Sequence, residues 1–367
     1  LLFYFFWELA LIPVYFLSSI WGAERRIAAT FKFFIYTFVG SLLMLVGLIY
    51  LQTQTPDRSF DINSFYAIVL DNKKQYWIFW LLFIAFAIKI PVFPFHSWQP
   101  DTYEQSPTAV TMVLSGIMVK MGLFAVIRWL IPVLPGATYA FGEETIAMWV
   151  IVGMIYASLI AWRQDDMKRL IAYSSIAHLG LMVVAIFSVS ELSLQGVMIQ
   201  MFNHGINILG LWVVVEILER KYGTRKLSEL GGLAQKAPAM ALLFVIVALA
   251  NIALPLTNAF VGEFMMFSGI FTSAYSSYEY LTVPAAGVTI ILAAIYTLRM
   301  IQKVIYGNTN ALTETGSDIG LNEKLVLGVI VILIIAAGVY PQPFLDLTKD
   351  TTSFIIKEAN ILPIVNK

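Results

Sequence analysis

Six ionisable side chains fall where the sequence offers them little water. Lys89 lies twelve residues after Trp77, about 18 Å along a helix at 1.5 Å per residue, and Lys120 lies thirteen after Pro107. Glu8 stands thirteen residues ahead of Trp21, and Glu263 eight beyond Pro255. His178, in Ser175-Ile176-Ala177-His178-Leu179-Gly180, and His204, in Phe202-Asn203-His204-Gly205, occupy the middles of two further apolar runs. An unpaired charge at the centre of a bilayer costs about 2.5–3.5 kcal/mol, so the four Lys and Glu facing lipid would cost on the order of 10–14 kcal/mol. They must face protein or water. Two internal ion pairs that glue helices would meet that need, but two lysines and two glutamates at one depth on four spans read as stations for a proton or mobile cation. Desolvation favours a neutral lysine and a nearby carboxylate favours a charged one, so a buried Lys–Glu pair can switch; Glu8 is the candidate partner of Lys89. Histidine takes up a proton on one nitrogen and releases it from the other, which suits His178 and His204 to bridge Lys120 to Glu263. The rival readings are two satisfied interior histidines, or a bis-histidine haem, which lacks any repeated haem pattern here.

Such residues need a membrane around them. The 367 residues are 59% hydrophobic and 13% charged, against about 45–50% and about 25% in soluble domains. The apolar residues recur in blocks of about 20, the length that crosses a ~30 Å hydrocarbon core. The expected fold class is an all-α polytopic membrane protein with about ten spans, near 1–21, 31–51, 77–104, 107–133, 145–162, 169–189, 194–218, 238–274, 283–306 and 324–345. The third and eighth are too long for one straight crossing and carry proline near their middles (Pro91 and Pro94; Pro255), so both should be broken helices. Lys and Arg crowd the links after the first, fifth, seventh and ninth spans, which the positive-inside rule places in the cytoplasm. Because the two breaks are five crossings apart, an inverted repeat is expected: residues 1–133 as most of one unit, 145–306 as the second, and 324–367 as a last span with a short tail. Leu1 opens inside an apolar run without a basic n-region, so a fragment lacking its first spans is expected.

Several function classes drop out. Lys+Arg and Asp+Glu balance at 23 each, giving no overall pull toward nucleic acid, and the absence of cysteine removes disulfides, thiol nucleophiles and cysteine-ligated clusters from this chain. No metal-ligand cluster, phosphate loop or hydrolase triad spacing is present. His96, beside Pro94, reads as a structural cap at the first break. Glu216 and Glu219 read as hydrated span ends, Arg128 as snorkelling, and Ser174, Ser175, Asn203 and Asn207 as lining of a wet path or as interhelical glue.

The run Phe86-Ala87-Ile88-Lys89-Ile90-Pro91-Val92-Phe93-Pro94-Phe95-His96-Ser97-Trp98-Gln99-Pro100-Asp101, then Ser106-Pro107-Thr108-Ala109-Val110, resembles the signature of the antiporter-like subunits of respiratory complex I. Further matches are Ser115-Gly116-Ile117-Met118-Val119-Lys120-Met121-Gly122, Asp165-Asp166-Met167-Lys168-Arg169-Leu170-Ile171-Ala172-Tyr173-Ser174-Ser175 and Phe260-Val261-Gly262-Glu263-Phe264. The resemblance implies fourteen spans in two inverted five-span units, of which these would be the last ten. It maps Glu8, Lys89, Lys120 and Glu263 onto the family's fifth-span glutamate, first-break lysine, central lysine and terminal glutamate, with His178 and His204 as central-axis residues. Glutamate at Glu263, where the L and N branches usually carry lysine, implies the M-type branch. Gln99 departs from the leucine frequent in the family.

What the resemblance implies is a proton-translocating membrane-arm subunit of NADH:quinone oxidoreductase in the bacterial inner membrane, beside other antiporter-like subunits. No cofactor is expected in this chain, and FMN and iron–sulfur clusters in its partners. The alternatives are a subunit of a multisubunit cation/proton antiporter and a purely structural scaffold.

Overall fold

The computed structural model describes residues 1–273 and 279–358. Most of the described chain is helical, and thirteen helices of eight residues or more build the frame. In order they are α1 (Leu2–Trp21), α2 (Arg26–Gln54), α3 (Asn72–Lys89), α4 (Trp98–Gln105), α5 (Thr108–Val133), α6 (Glu144–Arg163), α7 (Met167–Phe187), α8 (Glu191–Tyr222), α9 (Pro238–Asn251), α10 (Asn258–Phe271), α11 (Tyr280–Val304), α12 (Leu321–Val339) and α13 (Gln342–Glu358). Eight are single apolar helices long enough to cross a membrane; α3 with α4, and α9 with α10, make the two broken spans. Within the described residues all ten expected spans are helical, and both breaks fall at the prolines.

Local chemistry sets the ends. Asp71 and Asp166 accept hydrogen bonds from the Lys74 and Arg169 amides, capping α3 and α7. Gly223, at φ 68°, closes α8 in the left-handed conformation that glycine tolerates best. At the first break Pro91 and Pro94 stop α3, and the Ile88 carbonyl thereby exposed accepts from Trp98 Nε1 at 2.9 Å. His96 does not serve that carbonyl; its ring packs 5.5 Å from both Phe93 and Tyr156. At the second break, the Ala250 carbonyl accepts from Asn207 Nδ2 at 3.2 Å, and the Asn258 carbonyl from Asn203 Nδ2 at 2.7 Å. Polar side chains on neighbouring helices thus satisfy backbone that lipid cannot.

α7 is the hub. In its apolar window 89% of residues are buried, against 22% for α1 and 28% for α12, so α7 is wrapped by the described chain while those two leave broad faces uncovered by it. Two apolar cores meet on it, one reaching into α2, α3, α5 and α6, the other into α5, α8, α9, α11 and α12. The described part of the stretch expected as a short tail forms α13, which lies on α8 through Phe344 against Phe202 (ring centroids 4.6 Å). Hydropathy alone missed it because its apolar side chains form only one face.

Candidate functional site

Lys120 follows a wide π-type turn at Leu114–Met118, a distortion common where a helix carries function. Its Nζ sits 2.5 Å from the Ser115 carbonyl and 2.8 Å from His204 Nδ1 on α8. His178, on α7, holds Nδ1 3.3 Å from Glu263 Oε1 on α10, and Gln200 Nε2 lies 3.5 Å from the same oxygen. The two imidazoles face each other at 5.8 Å between ring centroids. Lys120, His178, His204 and Glu263 are each 8% exposed or less. Four residues from four helices, 143 positions apart at the extremes, therefore form one buried line: Lys120, His204, His178, Glu263.

The line has a hydrogen-bond polarity. When Lys120 donates to His204 Nδ1, the neutral ring carries its own proton on Nε2; when His178 donates from Nδ1 to the Glu263 carboxylate, its Nε2 is left as an acceptor. Both Nε2 atoms are buried and find no partner in the protein. In these tautomers His204 Nε2 is an unsatisfied donor and His178 Nε2 an unsatisfied acceptor, which a water accepting from the one or donating to the other would pair.

The other predicted pair is looser. Glu8 is the charged group that acts on Lys89, but neither Glu8 Oε1 nor Lys89 Nζ makes a hydrogen bond within the protein. Trp7 of α1 offers its ring face instead, 4.9 Å from Lys89 Nζ, a cation–π contact that sequence reasoning missed. Between Lys89 and Lys120 the helices meet through apolar contact: a Cβ added at Gly122 would come within 2.5 Å of Ile90 Cγ1. Among the described residues, no cluster of three or more His, Asp or Glu could hold a metal ion.

One end of the bundle carries a lattice of ion pairs that the sequence did not reveal. Arg169 reaches Glu104 (2.7 Å) and Asp101 (3.2 Å), Lys32 reaches Asp101 (2.8 Å), Arg225 reaches Asp166 (2.5 Å) and Glu219 (3.0 Å), and buried Lys168 reaches Glu219 (3.0 Å). Glu219 is therefore a paired group, not a merely hydrated one. Nearby, Asp318 caps the start of α9 by accepting the Ala239 and Met240 amides. Burial opposes its charge, but these amides and that of Ile319, with Lys324, outweigh it and hold the carboxyl below the usual range.

Residues 1–293 match the NADH:quinone oxidoreductase/Mrp antiporter transmembrane family. NADH-quinone oxidoreductase subunit M of Rickettsia prowazekii (strain Madrid E) is 38% identical over 351 residues, covering 94% of this chain and 70% of the relative. Among solved structures, a chain of respiratory complex I from Thermus thermophilus with bound NADH superimposes with a TM-score of 0.91 at 28% identity, over 98% of this chain and 75% of that one. A chain of the Mrp complex from Dietzia sp. DQ12-45-1b shares the fold, with a TM-score of 0.85 at 19% identity, over 99% of this chain and 75% of that one. The chain belongs to the NADH:quinone oxidoreductase/Mrp antiporter transmembrane family, and within it to the antiporter-like complex I subunits of the M type.

Proposed function

We propose that this chain translocates protons as a membrane-arm subunit of an NADH:quinone oxidoreductase, driven by electron transfer in partner subunits that hold FMN and iron–sulfur clusters. It sits beside other antiporter-like subunits in a bacterial inner membrane and carries out no redox chemistry itself. The two inverted units proposed from the sequence, 1–133 and 145–306, meet at the relay, since Lys120 lies in the first and His178, His204 and Glu263 in the second.

The observation that carries this reading is the buried line from Lys120 to Glu263, along which one choice of histidine tautomers makes the donors and acceptors run in one direction. A change in the Glu8–Lys89 pair alters the field at Lys120. Lys120 then gives up a proton from Nζ to His204 Nδ1 as the Nε2 proton leaves toward His178; His178 passes one to the Glu263 carboxylate, which discharges outward. Each hop breaks one N–H or O–H bond as another forms.

The test is Lys120→Met in the assembled complex reconstituted into vesicles. Proton translocation should be abolished or sharply cut, while NADH oxidation by the hydrophilic arm with a water-soluble acceptor continues. Undiminished translocation per NADH would refute the relay.

A further inference from the structure

Gln99 and Tyr103 are polar side chains inside the bundle that the relay leaves unused. Both are fully buried, and neither the Gln99 amide (Oε1 and Nε2) nor Tyr103 Oη finds a hydrogen-bond partner in the protein. Tyr103 Oη and the Gln99 side chain lie close enough to interact, but no hydrogen bond of ordinary distance and angle joins them. Four residues apart on α4, the two share a helix face. Three buried unpaired polar atoms in one place are too costly to leave dry, and three polar partners are what a trapped water needs.

The surroundings connect this place in two directions. Outward, Asp101 and Glu104 of the same short helix line a surface cavity with Arg25, Lys32 and Gln105. Inward, the Tyr103 ring meets Trp212 edge-on at 5.8 Å; Trp212 Nε1 donates to Ser115 Oγ at 2.9 Å, and the Ser115 carbonyl takes Lys120 Nζ. With two of its partners fixed as Ser115 and His204, the Lys120 ammonium keeps a third N–H free for water.

We propose that Gln99 and Tyr103 line a hydrated branch through which protons pass between the charged face at Asp101 and Glu104 and the Lys120 amine. A proton taken up there moves along waters held by the Gln99 amide and the Tyr103 hydroxyl, and the last water gives it to neutral Lys120: an O–H bond breaks as an N–H bond forms, with no change in oxidation state. Gln99 and Tyr103 act by holding water and are positioning residues. The inference rests on Lys120 being the relay's proton carrier.

The experiment compares Y103F, Q99L and the double variant with K120M, all in the assembled complex in proteoliposomes, reading protons translocated per NADH and the D2O effect on turnover. K120M defines this chain's share of translocation. The double variant should lose at least half of that share, each single variant should lose less, and the D2O effect should at least double as delivery becomes rate-limiting, a change that a packing defect alone does not produce. Y103F removes one oxygen with little change in shape, so it reports even where the double variant fails to assemble. A loss in K120M with neither a loss nor a larger D2O effect in Y103F and Q99L overturns the branch alone; no loss in K120M overturns the relay and the branch with it.

Discussion

Lys120→Arg separates charge from proton release. The Lys120 ammonium is held by the Ser115 carbonyl at 2.5 Å and His204 Nδ1 at 2.8 Å, and a guanidinium has donors enough to serve both while remaining a cation. If Lys120 acted only as a fixed charge, the variant would work. If it must release a proton, the relevant quantity is how readily each group deprotonates: in water arginine trails lysine by roughly 3.4 pH units, about 4.6 kcal/mol or roughly 2,500-fold. Both side chains occupy the same pocket, so much of the environmental effect cancels and the difference stays on the order of a thousandfold. The larger head also crowds a tight site and adds about 1–3 kcal/mol of strain, which assembly and thermal unfolding report separately. The assay is NADH-driven acidification of proteoliposomes, alongside NADH oxidation by a water-soluble acceptor. The arginine variant should fall to the level of the methionine variant while electron input continues. Arginine pumping at the parental rate with methionine inactive would refute proton release at this residue and leave it a purely electrostatic role.

Two further outcomes follow from contacts around the site and outside the membrane. Gly262→Ala puts a methyl group onto the Gln200 side-chain oxygen and Cβ. Because Gln200 Nε2 lies 3.5 Å from Glu263 Oε1, its displacement should slow translocation several-fold and cost about 1–3 kcal/mol of stability, read by acidification rate and thermal unfolding of the complex; parental values in both would show that Gln200 is free to move. Asp318 has a folded-state pKa below its unfolded value, so the stability it contributes is present above the unfolded value of about 3.9 and is lost as pH falls through the folded one. Asp318→Asn should therefore lower stability at pH 7 by about 1 kcal/mol and flatten the acid limb of the unfolding profile, whereas an unaltered limb would show that the cap contributes nothing.

Sequence carried the frame and the participants but not their pairing. Runs of about 20 apolar residues and three prolines placed every span and both breaks, because hydrocarbon imposes length and proline removes a backbone donor irrespective of tertiary context. Depth along a span likewise picked out Lys120, His178, His204 and Glu263. Which face each presents depends on helix rotation, and the apolar residues of α7 and α8 run all the way round, so periodicity says nothing there. Asn203 and Asn207 were legible as polar but not as fasteners of the second break, since their acceptors lie 55 and 43 residues away. The ion-pair lattice was illegible for the same reason: Asp101 and Arg169 are 68 positions apart, and a charge at a span end looks alike whether paired or hydrated.

The missing direct contact between the two lysines constrains how the parts act together. Ile90 presses against Gly122, Phe86 is buried beside it, and no side chain hydrogen bond joins Lys89 to Lys120 in the described structure. An apolar seam carries an electric field well, because low polarity weakens screening. In the proposed relay Lys89 acts on Lys120 through its charge, and the proton passed to His204 is replaced through the proposed branch at Gln99 and Tyr103. Trigger and supply then reach the same amine by separate routes, so Glu8→Gln should change when Lys120 releases its proton, and Y103F how fast it regains one.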